Sequence, residues 1–217
     1  MATQLFSQIK IGVQGGYNIS KLSHVHEPNA DGPLYTTASI NTFQFGGILE
    51  MDSKKNMFLQ TGLLVSGKGG FIADHSIADG GSETNTRLWY LQLPVNIGMK
   101  IQLNKNLHIV FAGGFYAARG VSGTTKGTGF TGWDAPYSYP VNNTVHFTND
   151  ASYYKENTTT IKPFDFGYNA LAGLEWKNLQ FTFNYNNGLT NIYPNDYTNY
   201  KNKVFNFSVV YLFQLKK

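Results

Sequence analysis

The chain is dominated by stretches in which apolar and polar side chains alternate with a period of two residues. The first stretch sets five apolar residues against five small or polar ones: Ile9, Ile11, Val13, Tyr17 and Ile19 against Lys10, Gly12, Gln14, Gly16 and Asn18. Because successive side chains of a β-strand point to opposite sides, this pattern predicts a strand with one apolar and one polar face. The same pattern predicts eight strands in all, at about residues 8–19, 39–52, 57–68, 86–102, 107–119, 163–176, 179–189 and 203–214.

The connections between the predicted strands alternate between short and long. Short turns lie near residues 53–55, 103–106 and 177–178, and long connections cover about residues 20–38, 69–85, 120–162 and 190–202. Outer-membrane β-barrels sort their connections in this way, with short periplasmic turns, long extracellular loops and both termini on the periplasmic side. The predicted strands also cover the roughly 9–11 residues that a tilted strand needs to cross a bilayer. We therefore predict a single all-β domain, residues 1–217, folded as an eight-stranded antiparallel transmembrane β-barrel.

The composition suits a surface that faces lipid. Charged residues make up 14% of the chain and aromatic residues 15%, whereas soluble domains carry roughly 25% charged residues. No run of about 18 apolar residues occurs, so a transmembrane helix is not expected. The absence of cysteine excludes disulfides, thiolate metal sites and cysteine nucleophiles. The first four residues, Met1-Ala2-Thr3-Gln4, do not resemble a secretory signal, and we expect a bacterial outer-membrane protein whose signal peptide has been removed.

Eight strands enclose a lumen that is only wide enough for side chains. The polar faces carry charges of both signs, and we expect them to form a polar network inside the barrel: Lys10, Glu50, Lys68, Lys100, Arg119, Asp165 and Glu175. Buried charges persist only when they are paired or well hydrogen-bonded, so this set predicts a plugged polar lumen and not an open pore. Pro94 falls within the fourth strand and predicts a bulge or kink there.

The longest predicted loop, residues 120–162, is rich in aromatic side chains. Six of them are candidates for binding a partner: Trp133, Tyr137, Tyr139, Phe147, Tyr153 and Tyr154. Residues 144–148 and 152–155 are predicted to form a hairpin that extends the barrel wall outward. Such a hairpin would offer a strand edge to a protein partner, or its aromatic rings would stack on sugar rings. The alternative, equally weighted, is that the loop packs on itself over the mouth of the barrel.

Several segments, in their order along the chain, resemble the PorT-like outer-membrane β-barrel family of Bacteroidetes. These are Gly15-Gly16-Tyr17-Asn18-Ile19-Ser20-Lys21-Leu22, residues 60–69, residues 90–95, Phe164-Asp165-Phe166-Gly167 and residues 185–192. The resemblance implies a small eight-stranded barrel similar to OmpA and OmpX. The last predicted strand resembles the C-terminal strand that the barrel-assembly machinery recognises, because apolar and aromatic residues alternate along it: Phe205, Phe207, Val209, Tyr211 and Phe213. In this chain four further residues, Gln214-Leu215-Lys216-Lys217, follow the last Phe. The family has one namesake associated with type IX secretion, and it supplies no catalytic residues.

Motifs for catalysis or metal binding are weak. His24 and His26, with Glu27 and Asp31 nearby, have ligand-like spacing but lie in a long connection without a fixed third ligand, so we expect a solvated loop. His75 and His146 are equally ambiguous. No Gly-x-Ser-x-Gly elbow or P-loop occurs. We therefore expect no enzyme activity, no catalytic residue, no cofactor and no metal.

The sequence thus predicts an integral outer-membrane protein that acts as a structural or interaction protein through its extracellular loops. The expected partners are outer-membrane lipid and lipopolysaccharide, the barrel-assembly machinery during biogenesis, and an extracellular or secretion-system protein bound by the loops. The scattered basic residues argue against nucleic acid. Two alternatives remain open: an outer-membrane lipid-modifying enzyme, and a soluble lipocalin-like carrier, which would need an apolar lumen.

Overall fold

The computed structural model describes residues 6–24, 35–53, 56–74, 81–131, 137–194 and 199–215. These residues form eleven strands: β1 (Phe6–His24), β2 (Tyr35–Ala38), β3 (Ile40–Ser53), β4 (Met57–Asp74), β5 (Gly81–Asn104), β6 (Leu107–Phe130), β7 (Ser138–Phe147), β8 (Thr158–Ile161), β9 (Phe164–Trp176), β10 (Leu179–Gly188) and β11 (Tyr200–Gln214). Within these ranges no helix is long and apolar enough to cross a membrane.

Eight of the strands close into a barrel. The ring runs β1, β3, β4, β5, β6, β9, β10, β11 and back to β1, and all of its neighbours are antiparallel. Each ring strand has a partner on both edges, which satisfies the backbone N–H and C=O groups that lipid cannot hydrogen-bond. The predicted barrel is confirmed. The predicted count of eight strands is too low, because β2, β7 and β8 lie beside the ring on β4, β6 and β7.

The two ends of the barrel differ in their connections. We call the end with the turns that follow β3, β5 and β9 the turn end, and the opposite end the loop end. In the turns after β5 and β9 the backbone reverses within two residues. Asn56, directly before β4, and Lys177 adopt the left-handed conformation, with φ of 59° and 55°. Asn tolerates this conformation well, which suits it to the turn before β4.

The outer and inner faces of the barrel reverse the usual distribution of polarity. Large apolar side chains point outward and are exposed, such as Phe115 at 70% and Phe43 at 60%. Polar side chains point inward and are fully buried, including Asn18, Gln180 and Asn206. A continuous apolar exterior of this size is unfavourable in water and favourable in lipid. The polar interior also argues against the lipocalin-like carrier, which needs an apolar lumen.

The segment that the sequence predicts as loop 120–162 is largely strand. β6 continues to Phe130, and its residues 120–130 pair with residues 81–90 at the start of β5. Both strands are therefore 24 residues long. The predicted hairpin of residues 144–148 with 152–155 is wrong. β7 instead pairs antiparallel with β6 and parallel with β8, with Thr144 opposite Thr158. The Gly- and Thr-rich sequence of residues 120–130 has the composition of a loop, but pairing with β5 and β7 fixes it as strand.

The sequence predicts a bulge or kink at Pro94; the structure shows no bulge, but the pairing of β5 with β4 is interrupted at Leu93 and Pro94. The register of β5 with β4 and with β6 is the same on both sides of Pro94. A register shift occurs instead between Trp89 and Tyr90, where β6 carries one extra residue, Val121. The carbonyl of Pro94 accepts a hydrogen bond of 2.8 Å from the Thr61 hydroxyl, which supplies one side-chain link between β5 and β4.

Candidate functional site

Five charged side chains meet in the lumen near the turn end, and we call them the turn-end cluster: Lys10, Glu50, Asp52, Lys100 and Glu175. Lys10 Nζ lies 2.7 Å from Asp52 Oδ2, 3.7 Å from Glu50 Oε1 and 3.6 Å from Glu175 Oε1. Lys100 Nζ lies 3.1 Å from Asp52 Oδ1 and 2.7 Å from Glu175 Oε2, and it also donates to Glu50 Oε1. Every ammonium group therefore contacts three carboxylates.

Strand register brings the turn-end cluster together. Lys10 and Glu50 are directly opposite each other in the β1–β3 pair. The cluster has three carboxylates and two ammonium groups, and amide donors offset part of the excess negative charge. Gln180 Nε2 donates to Glu50 Oε2 at 2.9 Å and to Glu175 Oε2 at 2.8 Å. Such charge-assisted hydrogen bonds are stronger than those between neutral groups.

A polar cavity of about 460 Å³ lies on the turn-end side of this cluster. Its walls include Lys10, Asp52 and Lys100 of the cluster, and His108 and Lys177 nearer the turns. Asp52, with a side chain 17% exposed, is the most accessible acid of the cluster. The cavity therefore ends at the charged cluster and does not continue through the barrel as an open path.

Amides and hydroxyls fill the middle of the lumen. Asn206 Nδ2 donates to Asn18 Oδ1 at 2.7 Å, and Asn206 Oδ1 accepts from Gln44 Nε2 at 3.1 Å and from Asn184 Nδ2 at 3.0 Å. The free space at this level is about 20 Å³, and a single water needs roughly 10–15 Å³ by such a measure. The middle of the barrel is therefore packed with side chains.

A single ion pair lies closer to the loop end. Lys68 Nζ is 2.9 Å from Asp165 Oδ2, and the two side chains are 1% and 0% exposed. The same carboxylate oxygen accepts hydrogen bonds from Asn202 Nδ2 at 3.0 Å and from the Tyr116 hydroxyl at 3.3 Å. Lys68 Nζ also lies 4.0 Å from the centre of the Tyr116 ring and 5.2 Å from that of Tyr90, within cation–π range.

Apolar side chains close the lumen above this pair, and we call them the cap. The cap consists of Val145 and Phe147 of β7, Ile161 of β8, and Ile192 and Tyr193 between β10 and β11, which pack on Leu22, Ile72, Leu88, Tyr90, Tyr116, Ala118 and Tyr200 of the barrel wall. The Phe147 ring meets the Tyr90 ring edge-on at 6.0 Å. Burial raises the pKa of Tyr193 to about 12.

Other aromatic residues of the loop end face outward. Tyr137 is 65% exposed, Tyr139 44% and Tyr154 89%. His146 and Tyr153 stack on each other, with ring centres 4.2 Å apart and planes 15° from parallel. The Ser152 hydroxyl and backbone N–H both donate to Asp150, which lowers the pKa of that carboxyl and fixes the turn before Tyr153.

The structure places six of the seven predicted lumen residues inside the barrel, in two separate groups. The seventh, Arg119, is a correction: its side chain is exposed on the outer face, between Leu91 of β5 and Phe164 of β9 in the register. Arg119 is an even number of residues from the outward Phe115, so the alternation of β6 itself places it outside. The predicted lumen network also omitted Asp52, the last residue of the predicted strand 39–52, which shares the inward face of Glu50 and contacts Lys10.

The six aromatic candidates for partner binding do not form one surface. Phe147 is a correction, because its ring packs inward in the cap. Trp133 lies outside the described residues. So do His26, Glu27, Asp31 and His75, which the sequence marked as weak metal candidates. Among the described residues, no group of three or more His, Asp or Glu side chains is arranged to hold a metal ion.

Comparison with known proteins supplies the family. A family model described as an outer membrane protein beta-barrel domain matches residues 3–193. No curated protein matches the sequence. Ail of Yersinia pestis is similar to this chain, with 10% identity, a TM-score of 0.40 and coverage of 95% of this chain and 100% of Ail. Neisserial surface protein A has 9% identity and a TM-score of 0.43, and the match covers 94% of this chain and 97% of that protein. The outer membrane protease OmpT of Escherichia coli has 11% identity and a TM-score of 0.44, and the match covers 98% of this chain and 99% of OmpT.

These structural likenesses are distant, and the family match is the stronger finding because it covers most of the chain. It agrees with the closed ring of strands, the apolar exterior and the polar interior. The chain therefore belongs to the outer membrane protein β-barrel domain family and lies in the bacterial outer membrane.

Proposed function

We propose that this protein is a closed, non-catalytic barrel that acts as a structural or interaction protein through its loop end. The observation that carries the proposal is the filled lumen. The amide layer leaves about 20 Å³ of free space. Above that layer lie the Lys68–Asp165 pair and the cap. A solute would have to break buried ion pairs and displace packed apolar side chains to pass.

The surface left for a partner is the extension of β6 and β7 beyond the barrel. Tyr137, Tyr139 and Tyr154 are exposed there, and large exposed aromatic side chains are typical of interaction sites. Residues 138–143 of β7 pair with β6 along one edge, and in the described part of the chain β8 covers the other edge only from Thr144 onward. An open strand edge beside exposed aromatic rings suits a protein partner that adds a strand. A PorT-like role in secretion would use the same surface.

Conductance tests the closed lumen. Purified protein inserted in planar lipid bilayers is expected to show no stable channel steps. The variant Phe147→Ala opens part of the cap but leaves the amide layer in place, so it is also expected to be silent. Regular conductance steps from the unaltered protein would contradict the closed barrel.

Crosslinking in intact cells tests the interaction surface. A photoreactive phenylalanine analogue at Tyr139 or Tyr154 is expected to give a discrete crosslinked protein band. The same analogue at Tyr168, which is 42% exposed on the outer face of β9, is the matched control and is expected to contact lipid only. The absence of a band from both loop-end positions, or equal bands from all three, would overturn the proposed surface.

A further inference from the structure

The outer face of the β1–β11 seam changes abruptly from apolar to basic toward the loop end. Successive outward pairs in the register are Tyr17 with Phe207, Ile19 with Phe205, Lys21 with Lys203, and Ser23 with Lys201. We call Lys21, Lys203 and Lys201 the basic row. The change in polarity takes place within a single step of the ladder.

The position of the basic row is that of a lipid headgroup. The apolar outward side chains of β1 run from Ile9 to Ile19. This span is about 34 Å along the strand, and at a tilt of about 40° it is about 26 Å high. That height matches the apolar band of about 25 Å of outer-membrane barrels. The basic row follows immediately, at the depth where lipid phosphates lie.

The arrangement of Lys21 and Lys203 is unfavourable by itself. Like charges directly opposite each other on neighbouring antiparallel strands destabilise the pair. The ion pairs of the described residues all lie inside the lumen, and none of them involves Lys21, Lys203 or Lys201. An anion between the two ammonium groups would convert their repulsion into attraction for a shared ligand.

The neighbouring groups fit a phosphate. Asn187 of β10 lies opposite Lys203 on its other side, so an amide donor adjoins the two lysines. Lysine is a common phosphate ligand, and its long apolar stem lies along apolar surface while the ammonium reaches the headgroup. The rings of Tyr17 and Phe207, two steps below, would contact the acyl chains of the same lipid.

We propose that the basic row is a binding site for the phosphate group of an outer-leaflet glycolipid, formed at the seam where the first and last ring strands meet. The site is separate from the loop-end surface and does not depend on it. Lys21 and Lys203 hold the phosphate between them, and Lys201 adds charge on the loop-end side.

The test compares two double variants in phosphatidylcholine vesicles. Lys21→Gln/Lys203→Gln removes the opposed lysines, and Lys105→Gln/Lys177→Gln removes two exposed lysines at the turn end as the matched control. The added probes are diphosphoryl lipid A, the same lipid without its phosphates, and inorganic phosphate in the buffer. The measurements are lipid binding and the thermal midpoint of unfolding.

Diphosphoryl lipid A is expected to bind the unaltered protein and the control variant equally, and Lys21→Gln/Lys203→Gln about 30-fold more weakly, since each lysine near an anionic surface contributes roughly a fivefold effect. Without charged lipid, Lys21→Gln/Lys203→Gln is expected to have an unchanged or higher unfolding midpoint, because a repulsion is removed. With diphosphoryl lipid A it is expected to have the lower midpoint.

Other results overturn the proposal. A lower midpoint of Lys21→Gln/Lys203→Gln in plain phosphatidylcholine would show that the lysines are paired within the protein. Equal binding of the dephosphorylated lipid would show that the phosphate is not recognised. A full effect from millimolar inorganic phosphate alone would assign the site to a free anion and not to a lipid.

Discussion

The two groups of buried charges in the lumen differ in how many oppositely charged partners each ammonium group has. In the turn-end cluster each ammonium group contacts three carboxylates, and Asp52 borders a polar cavity. Nearer the loop end, Lys68 has one carboxylate partner, Asp165, and both side chains lie buried beneath the cap. The shared cluster tolerates the loss of one member better than the isolated pair does, because an unpaired charge in the pair has no second oppositely charged partner and is fully buried.

The surroundings of the two groups follow from their neighbours along the barrel. The turn end has short turns, so the charges near it stay close to solvent. At the loop end, β7, β8 and residues 192–193 fold back over the lumen, and their apolar side chains cover Lys68 and Asp165. Removing one charged side chain is therefore expected to reduce the free energy of unfolding more near the loop end than near the turn end.

The largest expected effect is that of Asp165→Asn. The variant leaves the Lys68 ammonium buried without a counter-charge, and breaking a buried pair in this way costs about 3–5 kcal/mol. The free energy of unfolding in lipid vesicles, obtained from urea titrations followed on unheated SDS gels, measures this loss. Replacing both partners, as Lys68→Met/Asp165→Leu, is expected to recover most of it. A loss below about 1 kcal/mol for the single variant would mean that the pair behaves like a solvated one.

Asp52→Asn is expected to have a smaller effect. It leaves two carboxylates for two ammonium groups, and the new amide retains an acceptor and borders the polar cavity. We expect a loss of about 1 kcal/mol by the same titration, the usual size for one hydrogen bond. A loss equal to that of Asp165→Asn would show that the turn-end cluster has no redundancy and would remove the difference between the two ends.

Arg119→Gln is expected to have the smallest effect. Arg119 lies on the outer face and forms no ion pair with any described residue. Exposed positions away from special features usually change stability by no more than about 0.5 kcal/mol. The same urea titration checks this, and a loss of several kcal/mol would place the side chain in the lumen, as the sequence first suggested.

Much of the fold could be predicted from alternation. It identified the eight ring strands and the inward positions of Lys10, Glu50, Lys68, Lys100, Asp165 and Glu175. It failed where the local composition is typical of a loop but the segment pairs with a neighbouring strand. The Gly- and Thr-rich end of β6 has the composition of a loop, but β5 pairs with it up to Phe130. The parallel pairing of β7 with β8 has no local signal, because the chain between them has to reverse twice.

The candidate site was harder to predict than the fold. Sequence placed Phe147 among the exposed aromatics, but the return of β7 over the barrel turns its ring toward Tyr90. Tyr116 and Asn202 bind Asp165, and neither carries a motif that marks such a role. Arg119 was misplaced although the period of its own strand was sufficient to place it outside.

By itself the sequence determined which side of each strand meets lipid and which meets the lumen, because side-chain direction in a strand depends only on the parity of the position. It also determined that the sheet must close, since open edges are not tolerated in a bilayer. Only the tertiary structure decided which charges meet. Lys68 and Asp165 are 97 residues apart, and the stagger between strands sets the height at which each side chain enters the lumen. The closure of the loop end was likewise decided by tertiary packing, because the cap joins residues from two separate connections, one between β6 and β9 and one between β10 and β11, with the barrel wall.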